Sequence, residues 1–354
     1  MTVRSNIRAM AGYVPGEQLN DPDIIKLNTN ENPYPPSPRV FEAIHAALTS
    51  NSLRKYPQPL GDTFRKAAGR VLNVSPDSIL IGNGSDDILT ILTRAFVPEG
   101  GLMASATPSY ILYRSLAEIQ GARFEAHRFT DSWAIAESWP RGANLTFLPN
   151  PNSPSGTVVD PKSIVQLAQA LAPAPLVLDE AYADFTTWTG LELLASTPNL
   201  IITRTLSKSY SLAGIRFGFA IAAPELVREL VKVKDSYNCD VLSLAAATAA
   251  IEDQDYFREV RAKIIATRTR MTQELTAQGF DVTPSHSNFV WCRRPDRPVK
   301  PIYEELKRRK ILVRYMSYPA GPLSAPEGPY DGLRISVGTD AEIDKLLHEL
   351  KAIL

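Results

Sequence analysis

The sequence predicts an α/β protein: a mostly parallel sheet flanked by helices, with a smaller α/β lobe after it. Two patterns carry that expectation. Between residues 78 and 203, short apolar runs alternate with segments of helical period, which is how βαβ units read. After residue 224 the chain turns helical, and beyond residue 280 it alternates short strands with helices. Residues 1–50 read as an N-terminal arm and part of the small domain, 51–258 as the large domain, and 259–354 as the small C-terminal domain.

Composition narrows the function. A chain of 354 residues can bury a large core. Lys plus Arg (38) balances Asp plus Glu (38), so neither nucleic acid nor a membrane surface is expected as a partner. Cys239 and Cys292 lie far apart and outside any CxxC pattern, as expected of free thiols in a reducing cytoplasm. His45, His127, His286 and His348 form no metal-binding motif, so no metal is expected. No signal-peptide pattern or membrane-length apolar run is found, and a cytoplasmic location is expected.

Residues 1–38 form a polar, proline-rich arm containing Asn28-Thr29-Asn30-Glu31-Asn32-Pro33-Tyr34. Its short polar side chains favour turns. Residues 38–49 suit a helix with Val40, Phe41, Ile44 and Leu48 on one face. Lys55-Tyr56-Pro57 opens a loop before a helix near 62–72. Ser78-Ile79-Leu80-Ile81 is a strand that breaks at Gly82-Asn83-Gly84-Ser85-Asp86-Asp87, and an apolar helix follows to Phe96. Strand, glycine loop and helix start form an anion-binding geometry. Ser85 is the expected helix cap, with Asp86 and Asp87 in the first turn.

Gly101-Leu102-Met103-Ala104 is the next strand, followed by Tyr110 and, one turn on, Tyr113. Residues 145–148, 176–178 and 200–203 are further strands, with a helix at 161–172 between the first two. They run into Pro149-Asn150-Pro151-Asn152, Asp179-Glu180-Ala181-Tyr182 and the stretch 205–219. That last stretch holds Lys208 among small hydroxyls, with Arg216 eight residues later. A desolvated lysine has a lowered pKa and attacks carbonyls, and hydroxyls with an arginine can hold a phosphate.

Leu226, Leu230 and Val233 share a helical face, Tyr237-Asn238 precedes a small-residue helix, and 255–278 reads as one long helix. Residues 281–292 read as strand, turn and strand, 301–309 as a helix, and 311–314 as a strand ending in Arg314. A Pro/Gly loop spans 319–332, a strand at 333–337 carries Arg334, and Thr339 with Glu342 forms a capping box for the terminal helix.

In open parallel sheets, ligands bind beyond the carboxyl ends of the strands. The glycine loop, Tyr110, Asn152, Asp179, Tyr182 and Lys208 all fall at such ends. An amine, an anion cradle and a carboxylate for a ring nitrogen together suit pyridoxal 5′-phosphate.

The motifs NENPYPPSP (30–38), KYP (55–57), GNGSDD (82–87), PNPNSPSG (149–156), LDEAY (178–182), TLSKSYSLAGIRFGF (205–219) and LRISVGT (333–339) occur in this order. On them, and over nearly its whole length, the chain resembles the fold type I, pyridoxal-phosphate-dependent aminotransferases. Within them it is most similar to the histidinol-phosphate aminotransferases. The resemblance implies a large domain with a mostly parallel seven-stranded sheet, a smaller α/β domain and a homodimer. It also implies ping-pong transfer of an amino group between L-histidinol phosphate and 2-oxoglutarate, a step of histidine biosynthesis. On the same resemblance Lys208, Asp179 and Tyr182 form the catalytic group. Lys208 would link to the cofactor and carry a proton, and Asp179 would pair with the pyridine nitrogen. Asn152 and Tyr182 would bond the ring hydroxyl, and Tyr110 would stack on the ring. Gly84, Ser85, Asp86, Thr205, Ser207 and Arg216 would bind the phosphate, joined by Tyr56 from the neighbouring subunit. Arg334 would take the substrate carboxylate and Arg314 the phosphate of histidinol phosphate, with Asn30 and Tyr237 completing the substrate site.

Two departures bear on substrate choice. Gln58 stands where the family usually has an acid, and Tyr237-Asn238 continues as Cys239-Asp240 where small or hydroxyl residues are common. An aromatic amino acid aminotransferase and a threonine-phosphate decarboxylase would keep the same cofactor residues and stay open as alternatives. A cofactor-bearing transcription factor would need a DNA-binding extension, which neither terminus offers.

Overall fold

The computed structural model describes residues 2–12, 16–18, 21–137, 139, 142–323 and 330–354. Its strands, in chain order, are β1 (Ile25–Leu27), β2 (Ile79–Gly82), β3 (Leu102–Thr107), β4 (Arg123–Arg128), β5 (Leu145–Pro149) and β6 (Leu176–Asp179). They continue with β7 (Leu200–Thr205), β8 (Gly218–Ile221), β9 (Asp281–Thr283), β10 (Phe289–Arg293), β11 (Ile311–Tyr318) and β12 (Tyr330–Ser336). The larger sheet has seven strands in the order β2-β8-β7-β6-β5-β3-β4. From β7 to β4 all pairs are parallel, and β8 runs antiparallel to both β2 and β7.

Strands β5, β6 and β7 are buried along their whole length. Helices cover both faces, so both sets of alternating side chains must be apolar. Leu148, Leu178 and Ile202 face one layer with Phe64, Ile164 and Leu167. Phe147, Val177 and Ile201 face the other with Ile88, Leu92 and Leu116. Two strands of this sheet escaped the apolar pattern. β4 carries Arg123, Glu125, His127 and Arg128 because it is the edge of the sheet and half of it meets water. β8 begins inside the 205–219 stretch, at Gly218.

The smaller sheet has the order β1-β11-β12-β10-β9, with β1 parallel to β11 and the other pairs antiparallel. The N-terminal arm therefore adds a strand to the C-terminal lobe. Leu27, Val290, Val313, Leu333 and Ile335 share a core with Met271 and Leu275 of the helix Gln254–Ala277 and with Ile343 and Leu346 of Asp340–Ile353. The expected capping box forms: Thr339 Oγ1 accepts from the Glu342 amide, and the Glu342 carboxylate accepts from the Thr339 amide at 2.7 Å. β11 and β12 run longer than the sequence pattern suggested, and residues 324–329 of the 319–332 loop lie outside the described residues. Cys239 and Cys292 are buried free thiols. Among the described residues no helix is long and apolar enough to cross a membrane.

Candidate active site

Register brings the strand ends together. Pro149 pairs with Asp179, Asp179 with Thr203, Thr205 with Gly218, and Gly218 with Gly82. These ends open into one cavity of about 380 Å³. Asn28 to Glu31, Arg314 and Arg334 wall its far side, so the small sheet closes the site over the large one.

Asp179 lines this cavity and is buried. The hydroxyls of Tyr113 and Thr203 donate to its two oxygens at 2.7 and 3.1 Å. Burial pushes its carboxyl pKa up, while the two donors favour the carboxylate. Tyr113 is held by stacking on Phe147, with centroids 4.7 Å apart.

Lys208 lines the same cavity, and its Nζ donates to the Thr29 carbonyl at 3.1 Å. Its pKa is lowered to about 8, first by burial and then by the charge of Arg334, with Glu31 and Asp86 opposing. Its loop is tied on both sides. The Thr205 hydroxyl donates to Ser207 Oγ at 3.0 Å, and Asn32 Nδ2 donates to the Lys208 and Ser209 carbonyls at 3.0 and 3.1 Å. Beneath it, buried Arg204 donates to Glu180 and to Asp184, each at 2.8 Å, and the Ser209 hydroxyl donates to Asp184.

The glycine loop corrects one expectation. Ser85 is the first helical residue and not the cap; Gly84, at φ +81°, occupies the capping position. A Cβ at Gly84 would lie 2.6 Å from Arg216 Nη2, so only glycine lets the guanidinium approach this closely. The first-turn amides have no partner within the helix, and Arg216 lies 3.5 Å from Asp86, which also receives the Tyr110 hydroxyl at 3.4 Å.

Asn152 is buried, and its Nδ2 donates to Pro108 O and Ser155 Oγ, while its Oδ1 has no hydrogen-bond partner among the described residues. Tyr182 accepts from Asn30 Nδ2 at 2.9 Å. Asn30 adopts φ +56° and is itself fixed by Ser336 and Asn288 of the small lobe, each at 2.9 Å. Arg314 and Arg334 are direct cross-strand partners on β11 and β12. Arg334 donates to Ser153 Oγ and Asn28 O at 3.0 Å, and its Nε is buried with no partner among the described residues.

Tyr56 and Tyr237 do not line this cavity. They stack on each other with centroids 4.4 Å apart, and Tyr56 is 81% exposed. Sequence reasoning named Tyr113 but gave it no role, and it passed over Thr203 and Ser153. For Tyr113 a signal was present: it lies one helical turn beyond Tyr110, on the face turned to the sheet.

The residues present suit pyridoxal 5′-phosphate. The Asn152 acceptor lacks a donor of the kind a ring hydroxyl supplies, and the buried Asp179 can face a ring nitrogen. The Gly84 cradle beside Arg216 offers amides and a cation to a phosphate, and Lys208, its pKa lowered by burial, lines the same cavity.

Residues 22–350 match the family model described as aminotransferase class I and II. The chain is 51% identical over 348 residues to a histidinol-phosphate aminotransferase of Rhodopirellula baltica, covering 97% of this chain and 93% of the relative. It is 47% identical over 353 residues to one of Geotalea uraniireducens, covering 99% of each. Among solved structures it resembles histidinol-phosphate aminotransferase from Sinorhizobium meliloti in complex with pyridoxal-5′-phosphate. The TM-score is 0.85 and the identity 28%, over 98% of this chain and 96% of that one.

Proposed function

The chain belongs to the class I and II aminotransferases, and we propose that it transfers the amino group of L-histidinol phosphate to 2-oxoglutarate in histidine biosynthesis. Relatives 47–51% identical over nearly the whole chain support this substrate, and the pairing of Arg314 with Arg334 across two strands, over one cavity with Lys208, suits its anionic groups. Like charges set directly opposite repel. An anionic substrate group relieves that repulsion, and a phosphate or carboxylate suits the fork geometry of arginine.

Pyridoxal 5′-phosphate, the family's cofactor, supplies an electron sink for the bond broken at the substrate α carbon. Asp179, backed by Tyr113 and Thr203, would hold a proton on the ring nitrogen. Asn152 and Tyr182 would hold the ring hydroxyl, and Tyr110 would lie against the ring. The amides at Gly84, Ser85 and Asp86, with Thr205, Ser207 and Arg216, hold the phosphate. Lys208 Nζ, an amine whose pKa burial lowers to about 8 in the cofactor-free protein, would take the proton from the substrate α carbon. Arg334 holds the carboxylate of the oxo acid or of glutamate, and Arg314 the substrate phosphate. Asn30 positions Tyr182.

We further propose a homodimer in the cytoplasm. Exposed Phe41, Leu48, Leu53 and Tyr56 lie on one stretch of chain outside the cavity, and this apolar stretch suits a second copy. In that arrangement Tyr56, with Tyr237 stacked on it, serves the partner's site.

The test is a half reaction. Holoenzyme mixed with histidinol phosphate, phenylalanine or threonine phosphate is followed by its cofactor absorbance. Rapid conversion by histidinol phosphate alone is expected. Conversion by phenylalanine and not by histidinol phosphate would replace this reading with an aromatic aminotransferase.

A further inference from the structure

Among the described residues, three carboxylates line the cavity: Asp179, Asp86 and Glu31. Asp179 is taken by Tyr113 and Thr203, and Asp86 faces Arg216 and Tyr110 on the glycine-loop side. Glu31 belongs to the opposite wall. Its neighbours on that wall touch the groups that handle substrate: the Asn28 carbonyl accepts from Arg334 and the Thr29 carbonyl from Lys208. Glu31 therefore stands on the substrate side of the cavity, and the function proposed above leaves it without a role.

Its carboxylate is held in place from behind. Lys26 Nζ donates to Oε1, and the Thr29 hydroxyl donates to Oε2 at 2.5 Å. Lys26 does not line the cavity. Burial alone would raise the acid's pKa, but these two donors hold it below the usual range, so Glu31 is ionised at neutral pH. A carboxylate has about four acceptor directions, so two remain for a ligand. The wall thus offers an ionised, oriented acceptor close to two arginines and an amine.

We propose that Glu31 selects the imidazole ring of the substrate, accepting a hydrogen bond from a ring N–H while the arginines hold the anionic end. This rests on the function proposed above and sharpens it. A phenyl ring has no donor and would leave the two remaining acceptor directions of the carboxylate desolvated and unfilled, and a substrate without a ring would leave the wall unused. Sites built around a hydrogen bond discriminate strongly against ligands that lack the matching group.

The experiment measures binding by calorimetry for two ligands, histidinol phosphate and the ringless 2-aminopropyl phosphate, on wild type, Glu31→Gln and Glu31→Ala. Wild type should prefer histidinol phosphate. Glu31→Ala should weaken histidinol phosphate about tenfold or more, the scale of a hydrogen bond to a charged group. Glu31→Gln, which keeps a neutral acceptor, should fall between. The ringless phosphate should change less than about twofold, since it offers no ring N–H to the carboxylate. Equal weakening of both ligands, or no change in either, overturns the proposal. So does a wild-type protein that binds the two equally. A failure of the underlying function looks different: wild type would bind histidinol phosphate yet not convert it.

Discussion

Lys208 concentrates the chemistry of single residues. Replacing it with alanine removes the amine and relieves a buried cation, so Lys208→Ala should lower transamination by on the order of 10³ or more while the melting temperature holds or rises. Its pKa gives a second readout. Only the neutral amine attacks an aldehyde, and here the amine titrates near 8, where an ordinary lysine would titrate near 10.5. Covalent uptake of pyridoxal phosphate by the apoprotein should therefore climb about tenfold per pH unit below that value and level off above it. A rate still climbing at pH 10 would show an unperturbed lysine. Tyr113 tests the other end of the site. Tyr113→Phe removes one donor to Asp179, which favours the protonated acid. The kcat should fall about tenfold with KM nearly unchanged, as seen in steady-state kinetics.

Secondary-structure elements place these groups, and at Gly218 two of them pack backbone against backbone. A Cβ there would lie 2.5 Å from the Ser85 amide and 2.7 Å from the Gly84 carbonyl carbon. Both are backbone atoms that cannot swing aside. Gly218→Ala should push β8 from the start of the helix Ser85–Phe96. The cost should be about 1–3 kcal/mol in denaturant melts, with weaker cofactor affinity in fluorescence titrations. Gly214, whose Cβ would meet nothing within 4 Å, is the control. Gly214→Ala should stay within about 0.5 kcal/mol of wild type. The same contrast explains what could be read from the chain in advance. Strands β5 to β7 are apolar on both faces and announce themselves. β4 is polar because it is an edge, β1 has only three residues, and β8 hides in a glycine-containing turn. Lys208, Asp179 and Asn152 were legible because each directly follows a buried run. The hydrogen bond from Tyr113 to Asp179 and the pairing of Arg314 with Arg334 were not, because each depends on register between distant segments.

At the scale of the whole molecule, the question is whether one chain makes a complete site. Within a single chain the proposed phosphate cradle sets Gly84 against Arg216, with Ser207 lining the same cavity, whereas Tyr56 stands exposed and turned to its stacking partner Tyr237. If Tyr56 serves the site of a second copy, two damaged chains can repair one another. Tyr56→Phe should lower activity about tenfold by removing one hydrogen bond to a charged group. Lys208→Ala should remove activity altogether. In a hybrid dimer of the two variants, one site combines Lys208 from one chain with Tyr56 from the other and is whole, while its mate lacks both. Random pairing of equal amounts makes half the dimers hybrid, so about a quarter of all sites should be intact. Coexpressed variants should then show about a quarter of wild-type activity, well above what the Tyr56→Phe chains alone supply. If Tyr56 instead acted within its own chain, every site would lack one group or the other, and coexpression would add nothing to the residual activity.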